Sequence, residues 1–507
     1  MAASQKGGPN HIVLEWERIK SGFWDLSGVK WSPIAGVNPK TGAVSIANHG
    51  KFSLEYRNCA SEAAIRNLVT LELPRVDVRG NGDWGCKEDL PHRNRGNLKS
   101  EILKIYHVED SDTAQVLGIN VKLFPTVGFN FVISLSDMSI TTQALVSRQV
   151  SSSVKLENIV LDSLRPDEVL VEIHATGVCH TDFACMNGTL PAVFPSVFGH
   201  EGGGVVLDVG SNIKHLQKQD KVLLSFDSCG SCTQCDSKYP SYCQEWVQRN
   251  FGQKRMDGSL SMSTPDGTKV HGNFFGQSSF ARHTIVSGNS VVKVPSDTSL
   301  GLFSPLGCGV QTGAGAILNT LDVQPGKSVA VFGVGSVGMS AVMAAKMREA
   351  SVIIAVDLQA DRLELAKKLG ATHGVIGSDE DVVAQIQAIS GSNGVNYSVD
   401  CAGIPSVVEK ALDCLGTRGK AATVGAPAPG KRAGVDVFAH LVNGRQYVGC
   451  CEGDSDPEKM LPYLIEQHRK GQFPLDEIVT FYKVENYEIA FKDIKSGKAL
   501  KAVLLWS

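Results

Sequence analysis

The sequence lacks a strong charge of either sign, with a formal net charge of -3 over 507 residues. This balance gives no electrostatic reason to expect nucleic acid or a membrane surface as a partner. The sequence also lacks any run close to the ~18 apolar residues of a membrane-spanning helix. Its first ten residues contain no apolar segment of the kind a secretory signal needs. We therefore expect a cytoplasmic protein with a small-molecule partner.

Cysteine is present in a pattern that suggests a metal. Four of the 13 cysteines lie within fifteen residues, at Cys229, Cys232, Cys235 and Cys243. Thiols at this spacing can face one point and hold Zn²⁺ tetrahedrally, and closed sites with four thiolates are structural. A chance cluster or a disulfide pair is the alternative, which the tight spacing and the expected reducing compartment disfavour.

Residues 1–137 carry no recognised motif. Short apolar runs there are broken by polar and Gly-rich pieces, and no sustained helical or alternating period emerges. Two interpretations stay open: an N-terminal extension of unknown fold that is poorly ordered, or a gene-model artefact ahead of a protein that starts near Met138. Cys59 and Cys86 stand alone and are interpreted as buried thiols.

From residue 138 onward the chain is organised into two patterns. Residues 138–309 contain short strands with Gly-containing turns, which indicates a β-rich, barrel-like domain. Residues 310–450 alternate strands and helices, which indicates a parallel sheet of βαβ units. Residues 451–507 are predicted to return to the first domain and to end in a strand from Ala502. Within the second pattern we predict a strand in Lys327–Gly333, a helix over Ser336–Met347, a strand over Val352–Asp357 and a helix over Ala360–Leu369.

A glycine-rich turn in this second pattern predicts a dinucleotide site. Gly333, Gly335 and Gly338 form a GxGxxG motif that closes a predicted strand and opens a predicted helix. Asp357 follows nineteen residues later at the end of the next strand, where it can accept hydrogen bonds from a ribose. Its charge would repel a 2′-phosphate, so the motif favours NAD over NADP. A glycine-rich turn in some other α/β sheet is the weaker alternative.

Three dispersed residues form a possible catalytic metal set. Cys179, His200 and Cys308 supply two thiolates and one imidazole, which would leave a fourth position open for water or substrate. Their spacing alone does not bring them together, and each taken singly is as well explained by packing.

Taken together and in this order, the motifs resemble those of the zinc-containing medium-chain alcohol dehydrogenases. They are Cys179-His-Thr-Asp182, Gly199-His-Glu201, the four-cysteine loop, Gly307-Cys-Gly309 and the GxGxxG turn. The loop and the following Gln248–Gly252 look most like the aryl-alcohol (benzyl-alcohol) dehydrogenase branch. The resemblance covers roughly residues 140–507 and implies fold class α/β: a GroES-like β-rich catalytic domain (138–309 and 451–507) plus a Rossmann doubly wound parallel-sheet coenzyme domain (310–450).

The resemblance also implies a role for individual residues. It places the catalytic zinc on Cys179, His200 and Cys308 and a structural zinc on Cys229, Cys232, Cys235 and Cys243, so two zinc ions per chain. Thr181 would bond the substrate hydroxyl, Asp182 would orient His200, and Glu201 would lie behind the metal. The residues that would contact NAD are His180, Thr312, Gly333, Gly335, Val337, Gly338, Asp357, Arg362, Val424 and Lys501.

One position departs from the family pattern. Many relatives place a His three residues beyond the relay hydroxyl, and here that position is Ala184. The outer proton path must then use water or another group, or proton release is slower. The cysteines that match no ligand position are interpreted as packing thiols: Cys185, Cys401, Cys414, Cys450 and Cys451.

The resemblance implies an NAD-linked, reversible oxidation of a primary aryl or allylic alcohol to the aldehyde by a homodimer or homotetramer. Two other substrates stay open, an aliphatic alcohol and S-hydroxymethylglutathione. From a different class, a non-catalytic NAD-binding or redox-sensing protein could keep the same fold, although the presence of all three expected zinc ligands argues against it.

Overall fold

The structure is a computed structural model that describes residues 140–391 and 393–506 in full. Before residue 140 it describes the backbone of seven short strands. The chain divides into two compact units, one of Met1–Thr141 with Val160–Ser163 and the other of Thr142–Ile159 with Leu164–Ser507.

The first unit is β-structured where it is described. Its strands are β1 (Ala2–Ser4), β2 (His11–Glu15), β3 (Lys51–Tyr56), β4 (Asn67–Glu72), β5 (Ile102–Val108), β6 (Ala114–Asn120) and β7 (Phe131–Ser134). They pair in two antiparallel sheets, with strand orders β1-β2-β7 and β3-β4-β5-β6. The thiols Cys59 and Cys86 lie outside the described residues.

The segment from residue 141 to residue 293 is β-rich, as the sequence predicted. Its strands are β8 (Thr141–Ser147), β9 (Lys155–Leu161), β10 (Glu168–Gly177), β11 (Ser196–Val197), β12 (Gly202–Val209), β13 (Lys221–Leu224), β14 (Met262–Ser263), β15 (Lys269–Val270), β16 (His283–Ser287) and β17 (Val291–Lys293). Three helices interrupt them: α1 (His180–Met186), α2 (Thr233–Asp236) and α3 (Trp246–Phe251).

Strand β10 is the centre of this segment. It pairs antiparallel with β12 and with β16, and its Val169, Val171 and Ile173 are fully buried. The glycines of β12 allow a close approach, since a Cβ on Gly204 would lie 2.2 Å from the Glu172 carbonyl oxygen. A five-stranded sheet of order β11-β8-β9-β14-β15 completes the segment.

The next segment is a parallel α/β layer. After α4 (Leu300–Phe303) and α5 (Gly309–Gly315), its strands are β18 (Ser328–Phe332), β19 (Val352–Asp357), β20 (His373–Ile376), β21 (Val395–Asp400), β22 (Leu415–Thr423) and β23 (Gln446–Gly449). Its helices are α6 (Ser336–Met347), α7 (Ala360–Leu369), α8 (Val382–Ile389), α9 (Pro405–Asp413) and α10 (Val437–Asn443). The strand order β20-β19-β18-β21-β22-β23 is parallel throughout.

The side chains of β18 show that this sheet is covered on both faces. Val329 and Val331 enter one hydrophobic cluster, and Ala330 and Phe332 enter another. A parallel sheet with helices on both faces buries its strands completely, which explains the continuous apolar run in the sequence. The doubly wound fold is confirmed, and α6, β19 and α7 begin and end at the predicted residues.

The last elements of the chain return to the sheet that contains β10. They are α11 (Pro457–Arg469), β24 (Val479–Lys483), α12 (Tyr487–Lys495) and β25 (Lys501–Leu505). Strand β25 lies between β10 and β24. The resulting seven-stranded sheet has the order β17-β13-β12-β10-β25-β24, and its seventh strand, β16, also pairs with β10. Among residues 140–506, no helix is both long and apolar enough to span a bilayer.

Candidate active site

The four-cysteine loop forms a compact sulfur cluster. Its four Sγ atoms lie within 4.8 Å of one another, with pairs at 3.6 Å (Cys232–Cys235), 3.9 Å (Cys229–Cys235) and 4.0 Å (Cys232–Cys243). A tetrahedron with Zn–S bonds of about 2.3 Å places its sulfurs about 3.8 Å apart. The loop therefore fits Zn²⁺, while the spacing is far too long for an S–S bond of about 2.05 Å.

Backbone N–H groups surround these sulfurs. Cys229 N–H donates to Cys243 Sγ at 3.2 Å, and Cys232 N–H donates to Cys229 Sγ at 3.3 Å. The N–H groups of Gln244 and Cys235 lower the pKa of Cys232 to about 6. Such donors stabilise thiolates, which are the form that binds a metal.

The three dispersed residues of the sequence analysis come together in a second group. Cys179 precedes α1, His200 precedes β12, and Cys308 precedes α5. Each of these residues contributes one ligand atom to a group that also contains a carboxylate oxygen of Glu201. The four atoms lie within 4.8 Å of one another. A hydrogen bond between the two thiols lowers the pKa of Cys179 well below its usual value and raises that of Cys308.

Asp182 orients the imidazole in this group. Its Oδ1 lies 3.0 Å from His200 Nδ1, and its Oδ2 accepts from the N–H of Cys179 at 3.0 Å. His200 is fully buried, and its Nε2 has no hydrogen-bond partner in the described part of the chain. An unpaired buried nitrogen beside two thiols fits a metal ligand, because a coordinating His commonly uses its other nitrogen to bond a carboxylate.

Glu201 lies behind the three ligands and is neutralised by Lys501. The Lys501 ammonium donates to both Glu201 oxygens, at 2.8 and 2.9 Å, and to the Val178 carbonyl at 3.3 Å. Burial disfavours the charged ammonium, but Glu201 outweighs it and raises the pKa of Lys501. Since these contacts occupy its three protons, the structure places Lys501 with Glu201, and its contact with a coenzyme stays a prediction.

The remaining residues of α1 lie beside the second group. Thr181 Oγ1 is 3.6 Å from Cys179 Sγ, at the rim of the ligand set. His180 is exposed at the start of the helix, and Ala184 is half-buried one turn further on.

The glycine-rich turn has the shape of a phosphate cradle. Gly333 has φ 83° and follows β18, and Gly335 precedes α6 with nothing within 4 Å of the position of a Cβ. A Cβ on Gly338 would lie 2.0 Å from the Gly333 carbonyl oxygen, so only glycine fits there. The open space at Gly335, at the N-terminus of a twelve-residue helix, fits a pyrophosphate.

Asp357 lies at the same edge of the sheet and holds this turn. Its Oδ2 accepts from the N–H of Val334 at 2.8 Å, and its Oδ1 accepts from the N–H of Gln359 at 3.1 Å. Arg362 Nη1 lies 3.8 Å from the carboxylate, and Arg362 Nε is buried without a partner in the described residues. Contact of this pair with the ribose of a coenzyme stays a prediction.

Three further predicted residues lie on elements around this edge. Thr312 is on α5 and Val337 on α6, and the two helices touch where a Cβ on Gly313 would lie 1.9 Å from the Val337 carbonyl oxygen. Val424 follows β22 and is partly buried.

Sequence reasoning missed Glu452, which the structure brings to the second group. Its Oε1 lies 3.6 Å from Cys308 Sγ, and its Oε2 accepts from Thr312 Oγ1 at 3.2 Å. Burial raises the pKa of Glu452 to about 7. No local pattern indicates this contact, because Cys308 and Glu452 are 144 residues apart.

Sequence reasoning also missed an aromatic wall beside His200. The Phe275 ring stacks on the imidazole at 4.5 Å between centroids, and Phe274 meets it edge-on at 5.4 Å. Trp246 and Phe251 continue the wall, each within 6 Å of the Phe275 ring centroid. Phe274 and Phe275 are both buried, so an apolar, aromatic cluster packs directly against a metal-ligand candidate.

Two family models match the chain. Residues 165–296 match "Alcohol dehydrogenase GroES-like domain", and residues 336–466 match "Zinc-binding dehydrogenase".

Similar proteins match most of the second unit in length. The geraniol dehydrogenase of Castellaniella defragrans is 39% identical over 369 residues, covering 72% of this chain and 98% of that protein. The S-(hydroxymethyl)glutathione dehydrogenase of Synechocystis sp. is 33% identical over 368 residues, covering 72% of this chain and 99% of that protein. The crystal structure of benzyl alcohol dehydrogenase from Acinetobacter calcoaceticus superimposes with a TM-score of 0.70 at 40% identity, covering 73% of this chain and all of that one (100%).

Proposed function

The chain belongs to the zinc-containing medium-chain alcohol dehydrogenase family, and from this premise we propose that it catalyses the NAD-linked, reversible oxidation of a primary aryl or allylic alcohol to the aldehyde. The observation that carries the proposal is the convergence of Cys179, His200 and Cys308 with a buried, unpartnered His200 Nε2. A non-catalytic protein would have no need to keep this ligand set complete.

Each residue of the second group has a proposed task. Cys179, His200 and Cys308 would hold zinc, which supplies Lewis-acid chemistry that makes a bound alcohol more acidic. Asp182 fixes the imidazole so that Nε2 faces the pocket, and Glu201 with Lys501 forms a neutral pair behind it. Thr181, next to Cys179, would accept the hydrogen bond of the alcohol hydroxyl and help to remove its proton.

The coenzyme domain would bind NAD at the carboxyl edge of its parallel strands. The Gly335 turn offers backbone N–H groups and open space for the pyrophosphate, and Asp357 offers oxygen acceptors to a ribose. NAD, when bound, supplies the hydride acceptor. Thr312 and Val337, where α5 and α6 touch, and Val424 after β22 would border the nicotinamide.

An unsaturated substrate is supported by the aromatic wall. The rings of Phe275, Phe274 and Trp246 begin at His200 and extend away from it. Flat rings favour stacking and edge contacts with other π systems. The similar geraniol and benzyl alcohol dehydrogenases are named for an allylic and an aryl alcohol.

A substrate panel tests this function. With NAD⁺ and zinc, we expect kcat/KM for benzyl and allylic alcohols to exceed that for ethanol by about tenfold or more, because a larger apolar substrate buries more apolar surface when it binds. Activity should be equal for the whole chain and for a chain that starts at Met138. Turnover of formaldehyde that depends strictly on glutathione would instead identify an S-hydroxymethylglutathione dehydrogenase.

The domain boundaries at 309/310 and 450/451 are part of the proposal. They are supported by the change from mainly antiparallel to parallel pairing between β17 and β18 and by the return of β25 to β10. We also propose a cytoplasmic location, supported by the eleven cysteines among residues 140–506, all of which are free thiols.

The proposed dimer would form along the open edge of the parallel sheet. Strand β23 is the last in the described sheet order, and the preceding helix α10 has no buried residue. The helix exposes Val437, Phe438, Leu441 and Val442, each by more than half. An apolar helix beside a free strand edge is a surface that a second copy of the chain can cover, and two such dimers could form a tetramer.

A charge placed on this helix should separate the copies. We expect Phe438→Glu to shift the mass in solution towards the 54.2 kDa monomer, measured by sedimentation at micromolar concentration. Ile489→Glu, which changes an exposed apolar residue elsewhere, is the matched control and should leave the mass unchanged. An unchanged mass for Phe438→Glu would place the interface on another surface.

A further inference from the structure

The turn that carries Glu452 has an unusual backbone. Three consecutive residues adopt left-handed conformations, with φ 49° at Glu452, 69° at Gly453 and 48° at Asp454. Non-glycine residues adopt this region rarely and at a cost in free energy, and such residues concentrate at functional sites. The strain turns a carboxylate inward, where Glu452 is nine-tenths buried.

Side chains from two other segments hold this turn in place. Asn319 donates to the Gly453 carbonyl at 2.9 Å, and Thr320 donates to Asp454 Oδ2 at 2.8 Å. Tyr242, from the four-cysteine loop, donates to Asp454 Oδ1 at 2.6 Å. The orientation of Glu452 is therefore fixed by the surrounding structure.

Among the described residues, the Glu452 carboxylate forms no ion pair within 4.0 Å, and His200 is the positive group that acts on it from further away. Its protein neighbours are a hydroxyl, Thr312 Oγ1, and a thiol, Cys308 Sγ. The nearby Glu201 differs, because Lys501 pairs with both of its oxygens. A buried carboxylate without a cation is costly, so an ion pair within the protein does not account for Glu452.

A metal on Cys308 would leave one Glu452 oxygen without a donor. A metal-bound thiolate has no proton to give, so Oε1 would lose its donor. Oε2 would keep only Thr312 Oγ1 at 3.2 Å, whose single proton also faces the Cys308 carbonyl at 2.9 Å. We propose that Glu452 is a ligand-binding residue beside the second group, where it accepts a hydrogen bond from an O–H or N–H group of the bound molecule. The inference rests on the proposed function, and the donor can belong to the substrate side or to the carboxamide of the nicotinamide.

Binding measurements on the zinc-loaded chain test this proposal with matched ligand pairs. For the coenzyme, NAD⁺ carries a carboxamide N–H, and the 3-acetylpyridine analogue of NAD⁺ does not. For the substrate side, isobutyramide carries N–H groups and dimethyl sulfoxide carries none, both measured in the presence of NADH. In one of the two pairs, Glu452→Ala should raise the dissociation constant of the donor-bearing ligand by about tenfold or more. The dissociation constant of the donor-free ligand in that pair should rise by less than about twofold.

The pair that responds identifies the source of the donor. Glu452→Gln keeps the shape and one acceptor oxygen, so it should show the same preference with a smaller loss, even if the Ala variant fails to fold. Glu466→Gln, at an exposed carboxylate that pairs with Lys470, is the control and should change no dissociation constant.

Two results would overturn the proposal. In the first, the variants weaken the binding of donor-bearing and donor-free ligands equally, or they weaken the binding of neither. In the second, the visible spectrum of the ligand-free, cobalt-substituted protein changes in Glu452→Gln, because Glu452 then binds the metal itself. A parent chain that holds two zinc ions and binds no nicotinamide nucleotide would contradict the proposed function instead.

Discussion

A His200→Ala variant is expected to bind one zinc ion where the parent binds two, and to oxidise alcohols on the order of 10³-fold more slowly. The reason is geometric. His200 Nε2 is the buried nitrogen of the ligand group, and two thiols alone leave the metal with too few protein ligands. Metal content by mass spectrometry and kcat/KM with benzyl alcohol measure the two effects.

Two variants provide the comparison for this experiment. Asp182→Asn keeps the ligands but weakens the partner of His200 Nδ1, so we expect a loss of about 10–100-fold. His215→Ala removes an exposed histidine and should change neither zinc content nor activity. Retention of two zinc ions by His200→Ala would remove this residue from the ligand set.

A Cys235→Ser variant is expected to affect stability before chemistry. Cys235 Sγ lies 3.6 Å from Cys232 Sγ and 3.9 Å from Cys229 Sγ, so its loss opens the structural cluster. Because a structural metal contributes its binding free energy to folding, we expect the thermal midpoint to fall by about 5 °C or more, with one zinc ion lost. Calorimetry and metal analysis of the same preparation check both.

The control for this variant is a buried thiol outside both groups. Cys414→Ser alters a fully buried cysteine that donates to the Ala411 carbonyl, and it should keep two zinc ions. A Cys235→Ser chain as stable and as zinc-loaded as the parent would contradict the structural assignment.

The coenzyme domain was predictable because its signals are local. A strand covered on both faces reads as a continuous apolar run, as in Ser328–Phe332. Of the glycines that follow it, Gly333 adopts φ 83° and Gly338 is required by a close backbone contact. The four-cysteine site was also predictable, since its ligands lie within one loop.

The second group needed more than local signals. Only the resemblance to a known family allowed us to assign Cys179, His200 and Cys308 together. Their spacing in the sequence does not indicate the topology that joins β10, β12 and α5. The place of Glu452 in this group could not be predicted from the sequence. A Cys-Glu-Gly-Asp run does not indicate three left-handed residues or a contact with Cys308. The partner of Lys501 likewise depends on where β25 inserts.

The position of β25 has a consequence for synthesis. Residues Lys501–Leu505 lie beside β10, more than 320 residues earlier in the chain, and Lys501 carries the charge that balances Glu201. A ribosome must therefore complete the whole parallel domain before this sheet can close around the metal ligands. Until then Ala175, Thr176 and Gly177 at the end of β10 lack their partner strand, and they present a short unpaired edge in the nascent chain.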